Sequence, residues 1–188
     1  MILPAQLTGA IVAGGHARRL GGLAKGLISV DGESIMTRQL RLLGARCAAT
    51  LVVGDPAGPY AHLGAPVYPD EFPGRGPPGG VHTALVRAQT PWVMVLGCDL
   101  PYVTGAVLDG LRSEGSHDVC IYRAEGRHQP LVSCWRRAVE PTLAAMLATG
   151  CPGFAQIIAK LDARVIEGPG SAFFNVNTPE ELAQLRGE

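Results

Sequence analysis

The run Val12-Ala13-Gly14-Gly15-His16-Ala17-Arg18-Arg19-Leu20-Gly21-Gly22-Leu23-Ala24-Lys25-Gly26 combines two Gly-Gly pairs with three permanent cations. Glycines let backbone N–H groups approach a phosphate closely, and Arg19 and Lys25 add positive charge. The spacing is neither a Walker A loop, which needs Gly-Lys-Ser/Thr opening a helix, nor a GxGxxG dinucleotide fingerprint. A second candidate is Asp99 in Gly97-Cys98-Asp99-Leu100-Pro101, directly after the apolar run Trp92 to Leu96. A carboxylate there can fill one oxygen position of Mg²⁺, which binds through one or two carboxylates plus substrate phosphates and keeps water. A third is Asn175-Val176-Asn177, followed by a helix start in which Thr178 can cap, Pro179 suits the first position and Glu181 completes a capping box.

Short β-rich runs alternating with helix-period segments must position these groups, a pattern that predicts an α/β fold with a mostly parallel sheet. Strands are expected at Leu7 to Val12, Thr50 to Val53, Pro66 to Tyr68, Trp92 to Leu96, Asp118 to Tyr122, Leu131 to Trp135 and Ala163 to Ile166, with a short one at Leu27 to Val30. Trp92 to Leu96 is the most hydrophobic and is expected at the centre. Helices are expected near 34–47, burying Ile35, Leu40, Leu43 and Cys47, and near 106–113, 137–149 and 154–161. Another follows Gly80 with Val81, Ala84, Leu85 and Ala88 on one face. Residues 69–80, dense in Pro and Gly, are expected to be irregular. In an open α/β sheet, ligands bind outside the carboxyl ends of the strands. The glycine-rich loop, Asp99 and Asn175 to Asn177 are all expected to leave such ends.

Composition narrows the function classes. The 188 residues are 47% hydrophobic and 17% charged, with 16 basic against 16 acidic side chains, so disorder is excluded. The length fits a single domain over residues 1–188. Balanced charge argues against a nucleic-acid binder that works by phosphate neutralisation. No apolar run reaches the roughly 18 residues of a membrane span, and Met1 to Thr8 lacks the pattern of a signal peptide. The 25 glycines and 15 prolines, about a fifth of the chain, must sit in loops, where chemistry is usually done. Cys47, Cys98, Cys120, Cys134 and Cys151 contain no CxxC pair and read as small buried hydrophobes of a reducing, cytoplasmic compartment. The five histidines have no metal-ligand spacing, so no zinc is assigned.

The loop resembles the signature of the molybdenum cofactor guanylyltransferases, roughly LAGGxxxRMGGxDKG, within the wider nucleotidyltransferases of nucleotide-sugar type. Later segments match in order. Arg75-Gly76-Pro77-Pro78-Gly79-Gly80 is similar to the family's GPLAG turn, Gly97-Cys98-Asp99-Leu100-Pro101 to its CDxP, and the stretch from Phe174 to Leu182 to its NVNTPEEL. The resemblance runs from Gly9 to Leu182 and implies a three-layer α/β/α, Rossmann-like nucleotidyltransferase fold. The implied reaction is Mg²⁺-dependent transfer of GMP from GTP to molybdenum-molybdopterin, releasing pyrophosphate.

By the same resemblance, Arg19, Lys25 and Asp99 are the catalytic candidates. The nucleotide would lie against Val12, Ala13, Gly14, Gly15, Lys25, Gly54, Asp70 and Asp99. Asp99 would hold the metal, with Asn177 as a second oxygen ligand or phosphate contact. Asp70 occupies the place of an acid that reads guanine, and a carboxylate can accept from both N1–H and the 2-amino group. Gly54 could contribute only through its backbone. Gly126-Arg127-His128-Gln129-Pro130 is a candidate for pterin contact. The implied partners are GTP, molybdopterin with its metal, and molybdenum-inserting and molybdoenzyme-maturation proteins, with no nucleic acid or membrane. One departure stands out: Ala24 replaces the family's aspartate before the lysine, leaving either a variant loop anchor or a weakened enzyme in which Lys25 is loosely placed. Two alternatives stay open. One is a cytidylyltransferase or sugar-phosphate nucleotidyltransferase of the same fold; the other is a non-catalytic nucleotide- or molybdopterin-binding partner.

Overall fold

A computed structural model describes residues 1–14, 24–113, 115–176, 178, 180, 181 and 183. Its main sheet is built from β1 (Leu7–Val12), β4 (Ala49–Val53), β5 (Val67–Tyr68), β6 (Trp92–Gly97), β7 (Val119–Ala124), β8 (Arg127–Arg136) and β9 (Ala163–Glu167). The spatial order is β5-β4-β1-β6-β8-β7-β9. Only β8 runs against its neighbours; the pairs β4–β5, β1–β4, β1–β6 and β7–β9 are parallel. A separate two-stranded hairpin pairs β2 (Ser29–Val30) with β3 (Glu33–Ser34). As expected, the strand ending at Gly97 is central and buried throughout.

Period-two alternation divides the core between two faces. Leu7 and Ile11 of β1, with Met94 and Leu96 of β6, face α1 (Ile35–Gly44) and α3 (Gly105–Gly110). Ala10, Val12, Val93 and Val95 face α2 (Pro77–Arg87), α4 (Glu140–Thr149) and α5 (Phe154–Ile158). The result is three layers, helices covering both faces of a mostly parallel sheet. Ser34 caps α1 by accepting from Thr37 N at 3.1 Å. His82 on α2 and Glu140 on α4 join their helices through a 2.9 Å contact between Nε2 and Oε1.

Four expectations need correction. Residues 69–80 are not irregular throughout, because α2 already begins at Pro77. Pro77 and Pro78 occupy the first helical turn, where the missing N–H would have no intrahelical partner anyway. Gly76 turns the chain into the helix at φ 68°, a left-handed value that favours glycine. Second, 27–30 is not one strand: a 3₁₀ turn, Lys25–Leu27, precedes the two residues of β2. Third, β8 begins at Arg127 rather than Leu131, because it pairs with β7 across a tight turn at Glu125 and Gly126. Fourth, Asn175 does not leave a strand end; it follows the 3₁₀ turn Gly170–Phe173.

One close approach fixes α2 against the end of β1. A Cβ on Gly80 would lie 2.5 Å from Val12 Cγ1 and 3.3 Å from Cγ2, and Val12 is a β-branched residue in a buried strand. Gly80→Ala should therefore force α2 outward and lower stability by about 1–3 kcal/mol. Urea unfolding measures this; an unchanged midpoint would mean that Val12 can turn aside.

Candidate functional site

The chain runs from β1 through α1 to β4 and β5 on one side, then returns to place β6 on the other side of β1. Strand order reverses there, so a crevice opens beyond the carboxyl ends of β1 and β6. Val12 pairs in register with Gly97 and with Val53, so all three strands stop at one level. Val12 O accepts from Cys98 N at 3.2 Å, and Ala13 N donates to Val53 O at 2.8 Å. These bonds carry order one residue past the strands.

Asp99 lies in this crevice. Its Oδ2 is 3.6 Å from Lys25 Nζ, with both side chains about one-fifth exposed. Burial pushes the Asp99 carboxyl above its ordinary range, while the Lys25 charge pulls it down. Desolvation outweighs the Lys25 charge, and the Glu181 carboxylate adds to it. The thiol of neighbouring Cys98 is pushed up to about 12, first by burial and then by Asp99. It is neutral and poorly suited to act as a nucleophile.

Gln39 holds the loop that carries Asp99. This residue of α1 is 1% exposed, and its Nε2 donates to Gly97 O at 2.7 Å and to Leu100 O at 3.2 Å. Two carbonyls bracketing Cys98 and Asp99 are thus fixed by one amide. Sequence reasoning missed it, expecting Leu40 in the buried stripe; Leu40 is only half-buried. A signal was present: with Ile35, Met36 and Leu43 buried, position 39 lies on the same helical face and is polar. Val176 N bonds to Asp99 O at 3.0 Å, so residues 174–176 reach Asp99 without leaving a strand end. The expected capping box forms, Thr178 N donating to Glu181 Oε2 at 2.9 Å and Glu181 N to Thr178 Oγ1 at 3.2 Å.

Lys25 opens the 3₁₀ turn whose next residue, Gly26, donates its N–H to the buried Tyr60 hydroxyl at 3.2 Å. Ala24 packs against the main apolar cluster, and Leu27 N donates to its carbonyl at 2.8 Å. The turn is therefore anchored without a carboxylate at position 24, the variant loop anchor rather than the loose placement. Tyr60 was a second unforeseen contributor.

Across β1 from Asp99, Gly54 lies beside Ala13, and its N–H is engaged by Tyr68 O at 2.8 Å. Only its carbonyl remains as a backbone contact for a ligand. Asp70, half-buried beside the first turns of α2, accepts at Oδ1 from Phe72 N at 2.9 Å and from the Thr83 hydroxyl at 3.1 Å. One carboxylate oxygen thus builds the turn. Gly14 is exposed, whereas Gly15, Arg19 and Asn177 lie outside the described residues. The segment 126–130 forms the β7–β8 turn and the start of β8, which continues past the end of β6 on the far side of Asp99 from Asp70.

All five cysteines are free. Cys47, Cys120 and Cys134 are buried as expected, but Cys151 is exposed, its Sγ 3.1 Å from Arg75 Nη1. Among the described residues, no helix is long and apolar enough to cross a membrane.

Comparison with known proteins agrees with this architecture. Residues 9–165 match the MobA-like NTP transferase domain family. The molybdenum cofactor guanylyltransferase of Vibrio cholerae serotype O1 is 31% identical, with 97% of this chain and 92% of that protein covered. The protein of the same name from Cereibacter sphaeroides is 34% identical, with 95% of each covered. The crystal structure of molybdopterin-guanine dinucleotide biosynthesis protein A from Archaeoglobus fulgidus superposes with a TM-score of 0.79 at 22% identity, over 96% of this chain and 97% of that one. With its crevice at the β1–β6 switch point and family-wide similarity along nearly its whole length, the chain belongs to the MobA-like nucleotidyltransferases, the family that includes the molybdenum cofactor guanylyltransferases.

Proposed function

We propose that the protein transfers GMP from GTP to the terminal phosphate of molybdopterin carrying molybdenum, in the cytoplasm, giving the guanine dinucleotide form and pyrophosphate. The observation that carries this reading is the meeting of Lys25 and Asp99 beyond β1 and β6, a cation and a carboxylate brought within 3.6 Å at the carboxyl ends of the central strands. Named relatives that are guanylyltransferases support the choice of base and acceptor.

In the proposed reaction an acceptor phosphate oxygen attacks the α-phosphorus in line. The new bond is acceptor oxygen to phosphorus, the broken one joins the α-phosphorus to the bridging oxygen, and the electron pair leaves with pyrophosphate. Such transfer is mostly positioning and charge stabilisation, so no covalent protein nucleophile is needed. Lys25 and Arg19 would neutralise the leaving pyrophosphate. Val12, Ala13, Gly14, Gly15 and Gly54 would frame the nucleoside with backbone. The second Asp70 oxygen would accept from guanine.

The donor set fits Mg²⁺. Asp99 offers a largely buried hard-oxygen carboxylate whose charge Lys25 only partly offsets, and the Glu181 carboxylate adds to the effect of burial. That suits an ion bound by one carboxylate, substrate phosphates and water. Asp99, with Asn177, would hold it. When bound, Mg²⁺ supplies charge neutralisation across the phosphate oxygens.

Incubating the protein with Mg²⁺, molybdopterin and each nucleoside triphosphate in turn, followed by mass spectrometry, tests the reading. GMP addition from GTP is expected. CMP addition would make the enzyme a cytidylyltransferase, and no addition would favour a binding partner.

Asp99→Asn should lower kcat more than tenfold, over about 1.4 kcal/mol. The same variant should stabilise the metal-free protein near neutral pH. A carboxyl raised on folding adds stability below its unfolded value, near pH 3.9, and that contribution is lost as pH rises through the raised value. The variant's melting advantage should thus be present at pH 7 and shrink toward zero as pH falls; an advantage independent of pH would remove burial of the charge as its cause.

Asp70→Asn separates recognition from folding. The amide oxygen can keep the bonds to Phe72 N and Thr83, while the new NH₂ opposes the donors of guanine. Preference for GTP over ATP should fall by about 1–3 kcal/mol with little change in melting temperature. Calorimetry showing equal weakening of both nucleotides would confine Asp70 to a structural role.

A further inference from the structure

The order of the sheet divides the crevice. Asp70, Gly54 and Ala13 follow β5, β4 and β1, and Asp99 follows β6, so the nucleoside half lies on one side of Asp99. The other half belongs to the segments over β6, β8 and β7, and an acceptor attacking in line must approach from there.

That half holds a groove of about 570 Å³ between the start of α3 and the turn Gly170–Phe173, lined among others by Tyr102, Thr104, Val107, Pro169, Ser171 and Phe174. Its volume is that of a small-molecule site. The rings of Tyr102 and Phe174 stand 5.9 Å apart at 41°, and Tyr102 is 40% exposed. It is the only aromatic ring among the large exposed apolar side chains of the described residues. Both rings are tied to the reacting centre. Tyr102 lies three residues after Asp99, and Phe174 lies two before Val176, whose N–H bonds to Asp99 O. Behind them Val107 is buried, and its carbonyl accepts from the buried Tyr122 hydroxyl at 2.9 Å. Thr104 and Ser171 add polar residues to the lining, the Thr104 hydroxyl also capping α3 by accepting from Val107 N at 3.4 Å.

We infer that this groove binds the heteroaromatic pterin end of the acceptor, stacked on Tyr102 and Phe174, with its phosphate directed toward Asp99. The inference rests on the guanylyl-transfer reading and assigns the acceptor to residues outside the 126–130 segment. Aromatic faces hold flat heterocycles with sizeable affinity, and hydroxyls can meet their polar edges.

Steady-state kinetics on the full chain test it, varying molybdopterin and GTP separately in the wild type, Tyr102→Ala and Ser171→Trp. The first removes an exposed ring; the second fills the groove from an exposed position and leaves both rings in place. In each, KM for molybdopterin should rise at least tenfold while KM for GTP stays within twofold. A wild type that turns over, with both variants unchanged in KM for molybdopterin, would overturn the groove assignment alone. Titration with free 6-hydroxymethylpterin, followed by its fluorescence quenching, is independent of turnover. Quenching by the wild type that is lost in Tyr102→Ala supports the groove even if no GMP is transferred, in which case only the catalytic reading fails. Equal quenching by all three proteins would overturn the groove.

Discussion

The register of β1 between two parallel neighbours is the constraint on which the rest depends. Thr8 to Val12 pair with Ala49 to Val53, and Leu7 to Val12 pair with Trp92 to Gly97, so three strands end together with no stagger. A one-residue slip of any of them would exchange its two faces, moving Ile11 or Leu96 out of one core cluster and Val12 or Val95 out of the other. Because both faces are covered by helices, such a slip has no tolerable version. The common level of the strand ends is what allows loops from Val12, Val53 and Gly97 to share one crevice.

The crevice is then shaped by a small number of buried polar groups. Gln39 grips the two carbonyls around Asp99 from one helical layer, while Thr83 and Asp70 shape the start of α2 on the other. Gln39 Nε2, the buried Thr83 hydroxyl and one oxygen of the half-buried Asp70 are each paired, which offsets their desolvation, while Gln39 Oε1 is buried with no partner among the described residues. Tyr60 holds the turn that carries Lys25. Lys25 and Asp99 are therefore presented on loops whose backbones are anchored.

Asp99 itself runs against stability. Its carboxyl is largely withdrawn from water and only partly compensated by Lys25 at 3.6 Å, which leaves it easier to protonate than an exposed aspartate. A group in that condition gains from further positive charge, and a nucleotide-bound metal would bring it. Strain of this electrostatic kind concentrates at functional sites, where local rules are broken for a reason lying outside the apo-protein.

Much of this was legible in the chain. Short β-rich apolar runs marked β1, β4 and β6 to within a residue or so, and the Thr178 to Glu181 capping box formed as written, because strand burial and capping depend on residues near each other in sequence. Asp99 after a buried strand and Lys25 after the glycines stood out by type, since a carboxylate and an ammonium in strand-end loops suit metal and phosphate chemistry. What the sequence could not show was where distant groups meet. The antiparallel placement of β8, the entry of α2 at Pro77, the Gln39 grip across 58 residues, and the arrival of Val176 at Asp99 all follow from long-range packing. Two aromatic residues 72 positions apart, Tyr102 and Phe174, became one groove for the same reason: hydrogen bonds and apolar contacts between remote segments are decided by the closed core, and local propensity carries no record of them.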